Sequence, residues 1–457
     1  MNTDFTSSRR ELLKYAGCGF GSVALSSMAA MRQTPLIPPR AKRVIFLYLQ
    51  GGPSQVDTFD YKPELAKHHE KEVEFFVPRT RQLEKRKVMK NLWDFKQHGQ
   101  SGRWVSSIFP EVAKHVDDLC FIHSMHTEGV AHGPSTIFLH TGATNLIRPS
   151  MGAWISYGLG AENTNLPSFV TINPPATKGG PRNYGTAFLP ANHQGTVLGT
   201  PGNVAGIPTF RNLTSPIGED ESLVEREMLA QLNQIQQNNS AHAALDGVLD
   251  SFELAGRMQM HAGDAVNFDR ENQQTLGQYG IGSKTTDAFG RQCLAARQLA
   301  ENGVRFIQVS HCDNSATPVW DQHSKMPRHE GLAAAVDKPI SGLLTDLAQR
   351  GLLEDTLVWC GSEFGRTPFS QSGDGRDHNP RGFTVWLAGA GVKPGYAHGA
   401  TDNLGFQAVE NKVHMHDLHA TILHLLGLDH EKLTFRYAGR DFRLTDVHGE
   451  VVKEILS

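Results

Sequence analysis

The amino-acid sequence predicts a three-layer α/β/α fold with a mostly parallel central sheet. Short runs that are almost continuously apolar recur along the chain, and such runs are typical of strands buried on both faces of a sheet. Segments whose apolar residues recur at helical spacing lie between the runs. Several runs are followed directly by His, Asp, Glu or Gly, and in open α/β sheets ligands bind beyond the carboxyl ends of the strands.

Each predicted element is read from its own segment. The runs that predict strands are 43–50, 119–125, 169–173, 304–310, 356–361 and 383–389. Helical spacing predicts helices over 288–302, 333–350 and 417–426, and a Gly follows each of them. Pro339 should kink the second of these helices. The alternation of the two element types favours a layered fold with mostly parallel strands.

Length and composition predict one large soluble domain. The chain has 457 residues, of which 39% are hydrophobic and 20% are charged, as in globular proteins. Its formal net charge of −3 is too small to indicate nucleic acid or a membrane as a partner. We expect a single domain over 31–457 with a polar, helical insertion at 201–284. The charged segment 62–103 is predicted to be a surface excursion, and the Gly/Pro-rich segment 173–199 a long loop near a site.

The N-terminal segment, 1–30, resembles a twin-arginine export signal. Arg9 and Arg10 precede a weakly apolar run over 15–30, which is too short and too mild for a stable membrane span. Cleavage is expected near Ala29 or Ala30. The segment predicts export to the periplasm or cell envelope, with the twin-arginine export machinery as a partner. A disordered tail with a chance Arg pair is the alternative.

The cysteines are predicted to be buried thiols. Cys18 lies in the predicted export signal, which leaves four cysteines in the mature chain. Cys120, Cys312 and Cys360 lie within or beside apolar runs, and a chain of this size does not need disulfides to hold its core.

The segment 132–142 combines the signals of a short helix with those of an anion site. Pro134 stands in the first turn and Gly142 at the end. The N–H groups at a helix N-terminus have no partners within the helix, so they favour anions. His132 stands at that end of the segment.

Ionisable residues gather next to the predicted strands. The candidates are Asp57 after the first strand, His311, Asp313, Asp321 and His323 after 304–310, Glu363 and Arg366 after 356–361, and Asp377 and His378 before 383–389. Carboxylates and imidazoles bind divalent ions, and Arg can hold an oxyanion with two parallel hydrogen bonds. The set therefore predicts a metal or anion site. For single residues the alternatives are a hydrogen-bonded surface His, a pair between Arg366 and Glu363, and a loop cap by Asp377.

Several segments resemble known families. The segment 132–142 resembles the signature of sulfatases, in which Cys or Ser is followed by x-Pro-Ser and a short helix to Thr-Gly. The segments 51–60, 362–368, 375–380 and 417–427 resemble the bacterial sulfatase-like proteins called domain of unknown function family 1501, within the alkaline phosphatase and sulfatase superfamily. This resemblance runs over nearly the whole mature chain and implies an alkaline phosphatase-like fold. The first residue of the sulfatase signature is the nucleophile, and here it is His132.

The resemblance also implies roles for the candidate residues. The metal set that it implies is Asp57, Asp321, His323, Glu363 and His378, around one or two divalent metal ions such as Zn, Ca or Mg. His132 would face the reacting group as nucleophile, general acid/base or metal ligand, and Arg366 would clamp an oxyanion. Ser135, His311 and Asp377 would bind substrate, with helical capping or packing as the alternative for Ser135.

We therefore expect an exported metal-dependent hydrolase of sulfate or phosphate esters, acting on a small-molecule or glycan ester. The Pro-Ser spacing to Thr-Gly slightly favours sulfate. The alternative is a non-catalytic binding or envelope protein on a degenerate hydrolase scaffold, which the His at the nucleophile position favours. A metal-dependent mutase or isomerase is a third option that the fold permits.

Overall fold

The structure, a computed structural model, describes residues 37–144, 146–203, 205–213, 221, 224–225, 227–229, 231–233, 235 and 243–457. The predicted export signal at 1–30 lies outside the described residues, and so does part of the predicted insertion at 201–284. None of the described helices is long and apolar enough to cross a membrane.

The strands form one large sheet and several two-stranded ribbons. In chain order they are β1 (Arg43–Leu49), β2 (Glu72–Val77), β3 (Gln82–Lys87), β4 (Phe95–His98), β5 (Arg103–Ser106), β6 (Leu119–His126), β7 (Phe169–Ile172), β8 (Thr196–Leu198), β9 (Phe306–His311), β10 (Thr356–Gly361), β11 (Gly365–Ser370), β12 (Arg376–Asn379), β13 (Phe383–Ala388), β14 (Tyr396–His398), β15 (Ala400–Thr401), β16 (Ala408–Glu410), β17 (Val413–His414), β18 (Phe435–Tyr437) and β19 (Arg440–Phe442).

The helices lie mainly between strands of the large sheet. They are α1 (Gln55–Thr58), α2 (Glu64–His68), α3 (His132–Thr141), α4 (Met151–Leu159), α5 (Ala243–His261), α6 (Gln273–Gln278), α7 (Asp287–Glu301), α8 (Arg328–Gln349) and α9 (Met415–Leu425). Short 3-10 turns lie at Val112–His115, Gly180–Tyr184, Ala191–His193, Ala262–Asp264, Phe268–Arg270 and Lys453–Ile455.

The central sheet brings most strand ends to one edge. Its order is β14-β6-β13-β10-β1-β9-β7-β8, and β17 pairs with the end of β6. Among the described strands of this sheet only β13 is antiparallel to its neighbours, β10 and β6, and all other pairings are parallel. The carboxyl ends of the other strands therefore share one edge, where β13 begins. We call this the carboxyl edge.

Two apolar cores lie on opposite faces of the sheet, because side chains alternate along a strand. In β1, Ile45, Leu47 and Leu49 join a core with residues of α7 and α8. Val44, Phe46 and Tyr48 join the other core, with residues of α3, α4 and α9. The result is a three-layer α/β/α arrangement, which confirms the predicted fold class.

The predicted elements agree with the structure in most places. Each predicted strand is present in the central sheet within two residues of its predicted bounds. The second predicted helix begins earlier, at Arg328, and continues past Pro339. The segment 62–103 contains two hairpins, β2–β3 and β4–β5, outside the sheet. The cysteines at 120, 293, 312 and 360 are buried and free, as expected.

The segment 173–199 differs from the long loop that we expected. It is not a loop throughout, since it ends in β8, the outermost strand of the sheet beside β7. A strand of three residues, Thr196–Leu198, is too short to produce a visible apolar run, so the sequence pattern missed it.

Candidate metal centre

Four side chains from distant parts of the chain meet at the carboxyl edge. His132 is the first residue of α3, Asp321 and His323 lie between β9 and α8, and His378 lies in β12 just before β13. One ligand atom of each lies within 4.8 Å of those of the other three. We call these residues the metal cluster. The side chains of His132 and Asp321 are each 7% exposed, whereas that of His323 is 30% exposed, so the metal cluster is accessible from the His323 side.

The distances within the metal cluster suit ligands of one ion. His323 Nε2 lies 2.8 Å and His378 Nε2 3.2 Å from Asp321 Oδ1. The two Nε2 atoms are 3.0 Å apart. Ligand atoms at about 2.0–2.1 Å from a tetrahedral ion are separated by about 3.3 Å, close to these values. Three imidazoles and one carboxylate favour a transition ion such as Zn²⁺ over Mg²⁺ or Ca²⁺, which prefer oxygen ligands.

The outward nitrogen of each histidine faces an acceptor. His132 Nδ1 lies 2.6 Å from Glu363 Oε1, and His378 Nδ1 lies 2.8 Å from the Val130 carbonyl oxygen. His323 Nδ1 contacts the side-chain oxygen of Gln371. With an ion bound, these acceptors would hold the proton of each ring at Nδ1, and the three Nε2 lone pairs would then converge on the ion. This is the arrangement by which metal-binding histidines are usually oriented.

His132 offers the clearest sign of a missing partner. Its Nε2 lies 3.1 Å from Asp321 Oδ2, but the two atoms are not aligned for a hydrogen bond, so this buried nitrogen has no partner in the described structure. A buried polar atom without a partner is costly, and a cation between the two side chains would satisfy it. The residues therefore fit a divalent ion.

The charges of the metal cluster depend on one another. Burial alone would raise the pKa of Asp321, but the adjacent imidazoles of His132, His323 and His378 and the charge of Arg366 hold it well below its usual range. Burial alone would lower the pKa of His132, but Asp321 and Glu363 raise it above its usual value. The carboxylate is thus ionised and able to bind a cation.

Glu363 was expected to bind the metal directly, but the structure gives it another position. One carboxylate oxygen contacts His132, and the other accepts hydrogen bonds from Tyr48 (3.1 Å), Ser362 (2.6 Å) and the Gly51 N–H (3.2 Å). Burial would raise the pKa of Glu363, but His132 and Ser362 lower it to about 2. Glu363 does not join the metal cluster, and its contact with His132 orients that ring.

Asp57 is also withdrawn from the expected ligand set. Its fully buried carboxylate pairs with Arg376, at 2.6 and 3.2 Å, and accepts further hydrogen bonds from Ser54 and the Leu92 N–H. A buried carboxylate that is neutralised in this way is already fully coordinated by the protein. Asp57 therefore stabilises the loop after β1 and does not join the metal cluster.

Arg366 does not have a free face for an oxyanion. It is fully buried, and its guanidinium contacts the carbonyl oxygens of Gly51, Gly52, Trp320 and Arg376 and, at 2.8 Å, the Asp321 carboxylate. Nε and Nη1 each make one of these contacts and Nη2 makes three, so every nitrogen of the guanidinium has a partner within the protein. The expected oxyanion clamp is therefore corrected to a residue that fixes Asp321.

The three expected substrate-binding residues differ in their placement. Asp377 borders the metal cluster, since its carboxylate lies 3.8 Å from His323 Nδ1 and accepts the His378 N–H. Ser135 is fully buried one helical turn from His132, and its Oγ has no hydrogen-bond partner. His311 accepts a hydrogen bond from Trp320, and burial lowers its pKa to about 4. Ser135 and His311 do not join the metal cluster.

Sequence reasoning missed the residues that orient the ligands. Tyr48 bridges Glu363 and Thr136 from within an apolar strand, where its ring looks like an ordinary core residue. Gln371 contacts His323 from a polar loop without a motif. Phe364 packs against the rings of both His132 and His378, with centroids 4.9 and 4.5 Å away. Only the position of Phe364 beside Glu363 could have suggested its role.

Comparison with known proteins assigns a family. Residues 41–456 match the family described as "Protein of unknown function (DUF1501)". No curated protein matches the sequence. Among solved structures, the chain is similar to the PsFucS1 sulfatase from Pseudoalteromonas sp. (13% identity, TM-score 0.37, covering 90% of this chain and 72% of that one). It is also similar to a phosphonate monoester hydrolase from Silicibacter pomeroyi (13% identity, TM-score 0.37, covering 76% and 71%). At such TM-scores neither likeness supports a conclusion about activity.

Proposed function

The chain belongs to the DUF1501 family, and we propose that it is a metal-dependent hydrolase of sulfate or phosphate esters. The observation that carries this proposal is the convergence of three Nε2 atoms on the Asp321 carboxylate, with an acceptor at each Nδ1. Such a site binds a divalent ion, which acts as a Lewis acid and lowers the pKa of a bound water. The exposed side of His323 gives a substrate access to the metal cluster.

The residues around the metal cluster would keep it ready for an ion. Glu363 holds the His132 proton at Nδ1, so the Nε2 lone pair faces the centre. Arg366 holds Oδ1 of Asp321 and leaves Oδ2 towards His132. Catalytic zinc sites use three protein ligands and keep a further position for water or substrate. Three imidazoles would meet that requirement, and with Asp321 as a fourth ligand the ion would take water or substrate as its fifth.

Metal analysis and two substrates test the proposal. We expect the purified protein to hold about one divalent ion per chain and to cleave an aryl sulfate or an aryl phosphate. A chelator should abolish the activity, and added metal should restore it. A protein without metal that leaves both substrates intact would rule the proposal out.

A second candidate function is a metal-dependent binding protein without catalysis. Two observations favour it. The guanidinium of Arg366 is buried and contacts carbonyl oxygens and Asp321, so it does not face a substrate, and the Ser135 hydroxyl is fully buried. Replacement of His132 by Ala separates the two functions in the metal-loaded protein. A hydrolase should lose its rate, whereas a binding protein should show no turnover before or after the replacement.

Export remains part of the proposal. The Arg9-Arg10 pair and the apolar run over 15–30 support it. Cell fractionation of the full chain and of an Arg9→Lys, Arg10→Lys variant tests it. We expect the wild type in the periplasm or envelope and the variant in the cytoplasm, and equal distribution of both would contradict export by this route.

A further inference from the structure

A small cavity lies near the metal cluster on the β6 side of the carboxyl edge. Its volume is about 210 Å³, and His126, Thr127, Arg381 and Lys412 line it together with uncharged residues. We call it the basic cavity. Among the residues that the structure describes, no acidic side chain lines it, although the whole chain has a formal net charge of −3. Positive charge in a concave space without countercharge attracts anions.

The polar groups that line the basic cavity could make further contacts with an anion. Arg381 donates to Gln407 at 2.7 Å, and its guanidinium lies over the rings of Phe76 and Phe406, so uncharged groups hold it in place. Lys412 is exposed at the rim. Thr127 Oγ1 is buried and has no hydrogen-bond partner within the described part of the chain. Burial holds the pKa of His126 below its usual value, so its ring offers an N–H donor, while Arg381 and Lys412 supply the charge.

The basic cavity and the metal cluster are built from the same two chain segments. The Thr127 N–H donates to the Pro380 carbonyl at 2.9 Å, and His378 donates to the Val130 carbonyl at 2.8 Å. Pro380 lines the cavity and lies two residues after the ligand His378. Two residues span at most about 7 Å, so the backbone that lines the basic cavity lies close to the backbone of the ligand His378.

We propose that the basic cavity binds a second anionic group of the substrate while the ester lies at the metal cluster. The group is an oxyanion, such as a sulfate, phosphate or carboxylate. This inference rests on the proposed function for the identity of the reacting ester. It narrows the substrates to molecules with at least two anionic groups.

Binding of inorganic sulfate to the purified protein tests the cavity without any turnover. We expect Lys412→Gln to weaken sulfate binding by about fivefold, since an exposed charged contact contributes up to about 1 kcal/mol. Lys412→Arg keeps the charge and should bind sulfate as the wild type does. Lys96→Gln removes an exposed charge on β4 and is the matched control. Equal sulfate affinity of Lys412→Gln and the wild type, measured by calorimetry, would overturn the proposal.

Kinetics then test whether the cavity serves the substrate. The two probes are nitrophenyl sulfate and the same ester with a carboxylate on its ring. Lys412→Gln should raise KM for the doubly anionic ester by about fivefold and leave its kcat and the KM of the plain ester unchanged. An equal effect on both esters would overturn the proposal. If neither ester is cleaved, the proposed function fails for these esters. The sulfate affinities then show by themselves whether the basic cavity binds anions.

Discussion

Two groups of histidines lie at the carboxyl edge and differ in their chemistry. In the metal cluster, three Nε2 atoms surround the carboxylate of Asp321. The second histidine group consists of His126, His414, His416 and His419, and its neighbouring ring centroids are 5.0 to 6.1 Å apart. No carboxylate lies among these rings in a set that could hold a metal, within the part of the chain that the structure describes.

A carboxylate beside the second histidine group, that of Asp417, binds the backbone instead. Asp417 accepts the N–H groups of His414 and Glu450, each at 2.8 Å, and so caps the start of α9. The Nε2 atoms of His416 and His419 face the carbonyl oxygens of Gly142 and Leu139 at the end of α3. These histidines therefore join two helices. The two groups therefore differ in where their ring nitrogens face: in the metal cluster three Nε2 atoms face one carboxylate, whereas in the second histidine group the Nε2 atoms of His416 and His419 face backbone carbonyls.

The largest expected effect comes from replacing a histidine of the metal cluster rather than one of the second histidine group. His378→Ala removes one of three converging nitrogens, so we expect metal affinity to fall by about a thousandfold and hydrolysis to disappear. His414→Ala removes a histidine of the second group and should leave the metal content unchanged. Metal analysis of both variants after dialysis measures the effect. Retention of metal by His378→Ala, or equal loss in both variants, would contradict the assignment.

The next effect compares the two carboxylates. Asp321→Asn removes the buried countercharge of Arg366, so we expect the free energy of unfolding of the metal-free protein to fall by about 3 kcal/mol. Asp417→Asn weakens only a helix cap and should cost about 1 kcal/mol. Denaturant unfolding of the metal-free proteins measures both values. Equal losses would show that Asp321 is no more than a structural acceptor.

A smaller effect should follow from changing the acceptor behind a ligand. Glu363→Gln offers His132 an amide in place of a carboxylate, so the preferred proton position is no longer enforced. We expect metal affinity to fall by about 10- to 100-fold, which is typical of such outer partners. Competition with a chromophoric chelator measures the affinity. An unchanged affinity would mean that Glu363 does not orient His132.

The fold could be predicted from the sequence because its strands are buried on both faces. Runs such as 356–361 must be apolar throughout, so their bounds are visible without any knowledge of their neighbours. The edge strand β8 has only three residues and gave no such signal. Strands that are long and buried on both faces can therefore be predicted from their apolar runs, whereas short strands at the edge of the sheet cannot.

The candidate site was only partly predictable because pairings depend on distant residues. The ends of parallel strands share an edge, so the meeting of His132, Asp321, His323 and His378 follows from topology. Asp57 stands at the same edge, yet Arg376 neutralises it from 319 positions away. Nothing in the sequence near Asp57 reveals that pair. The sequence predicted the types of residue in the site and the edge of the sheet where they lie, but not the direction of each side chain.

The remaining prediction concerns the second histidine group and the pH dependence of folding. His419 is fully buried, and burial and the charge of His416 lower its pKa to about 3, although its hydrogen bond to Leu139 acts in the opposite direction. Below pH 6.5 the unfolded chain binds a proton at this position and the folded chain does not. The contribution of neutral His419 to the free energy of unfolding is therefore complete above pH 6.5, and it is lost as the pH decreases towards 3.

One such histidine contributes a slope of about 1.4 kcal/mol per pH unit at most in that range. We expect His419→Gln, whose amide can still donate to Leu139, to flatten the pH dependence of the unfolding free energy by about that amount. The exposed His448→Gln is the control for loss of an imidazole at the surface. Denaturant unfolding between pH 4 and 8 measures the slopes. An unchanged slope in His419→Gln would mean that the second histidine group takes up protons without unfolding, and the contrast with the metal cluster would then rest on geometry alone.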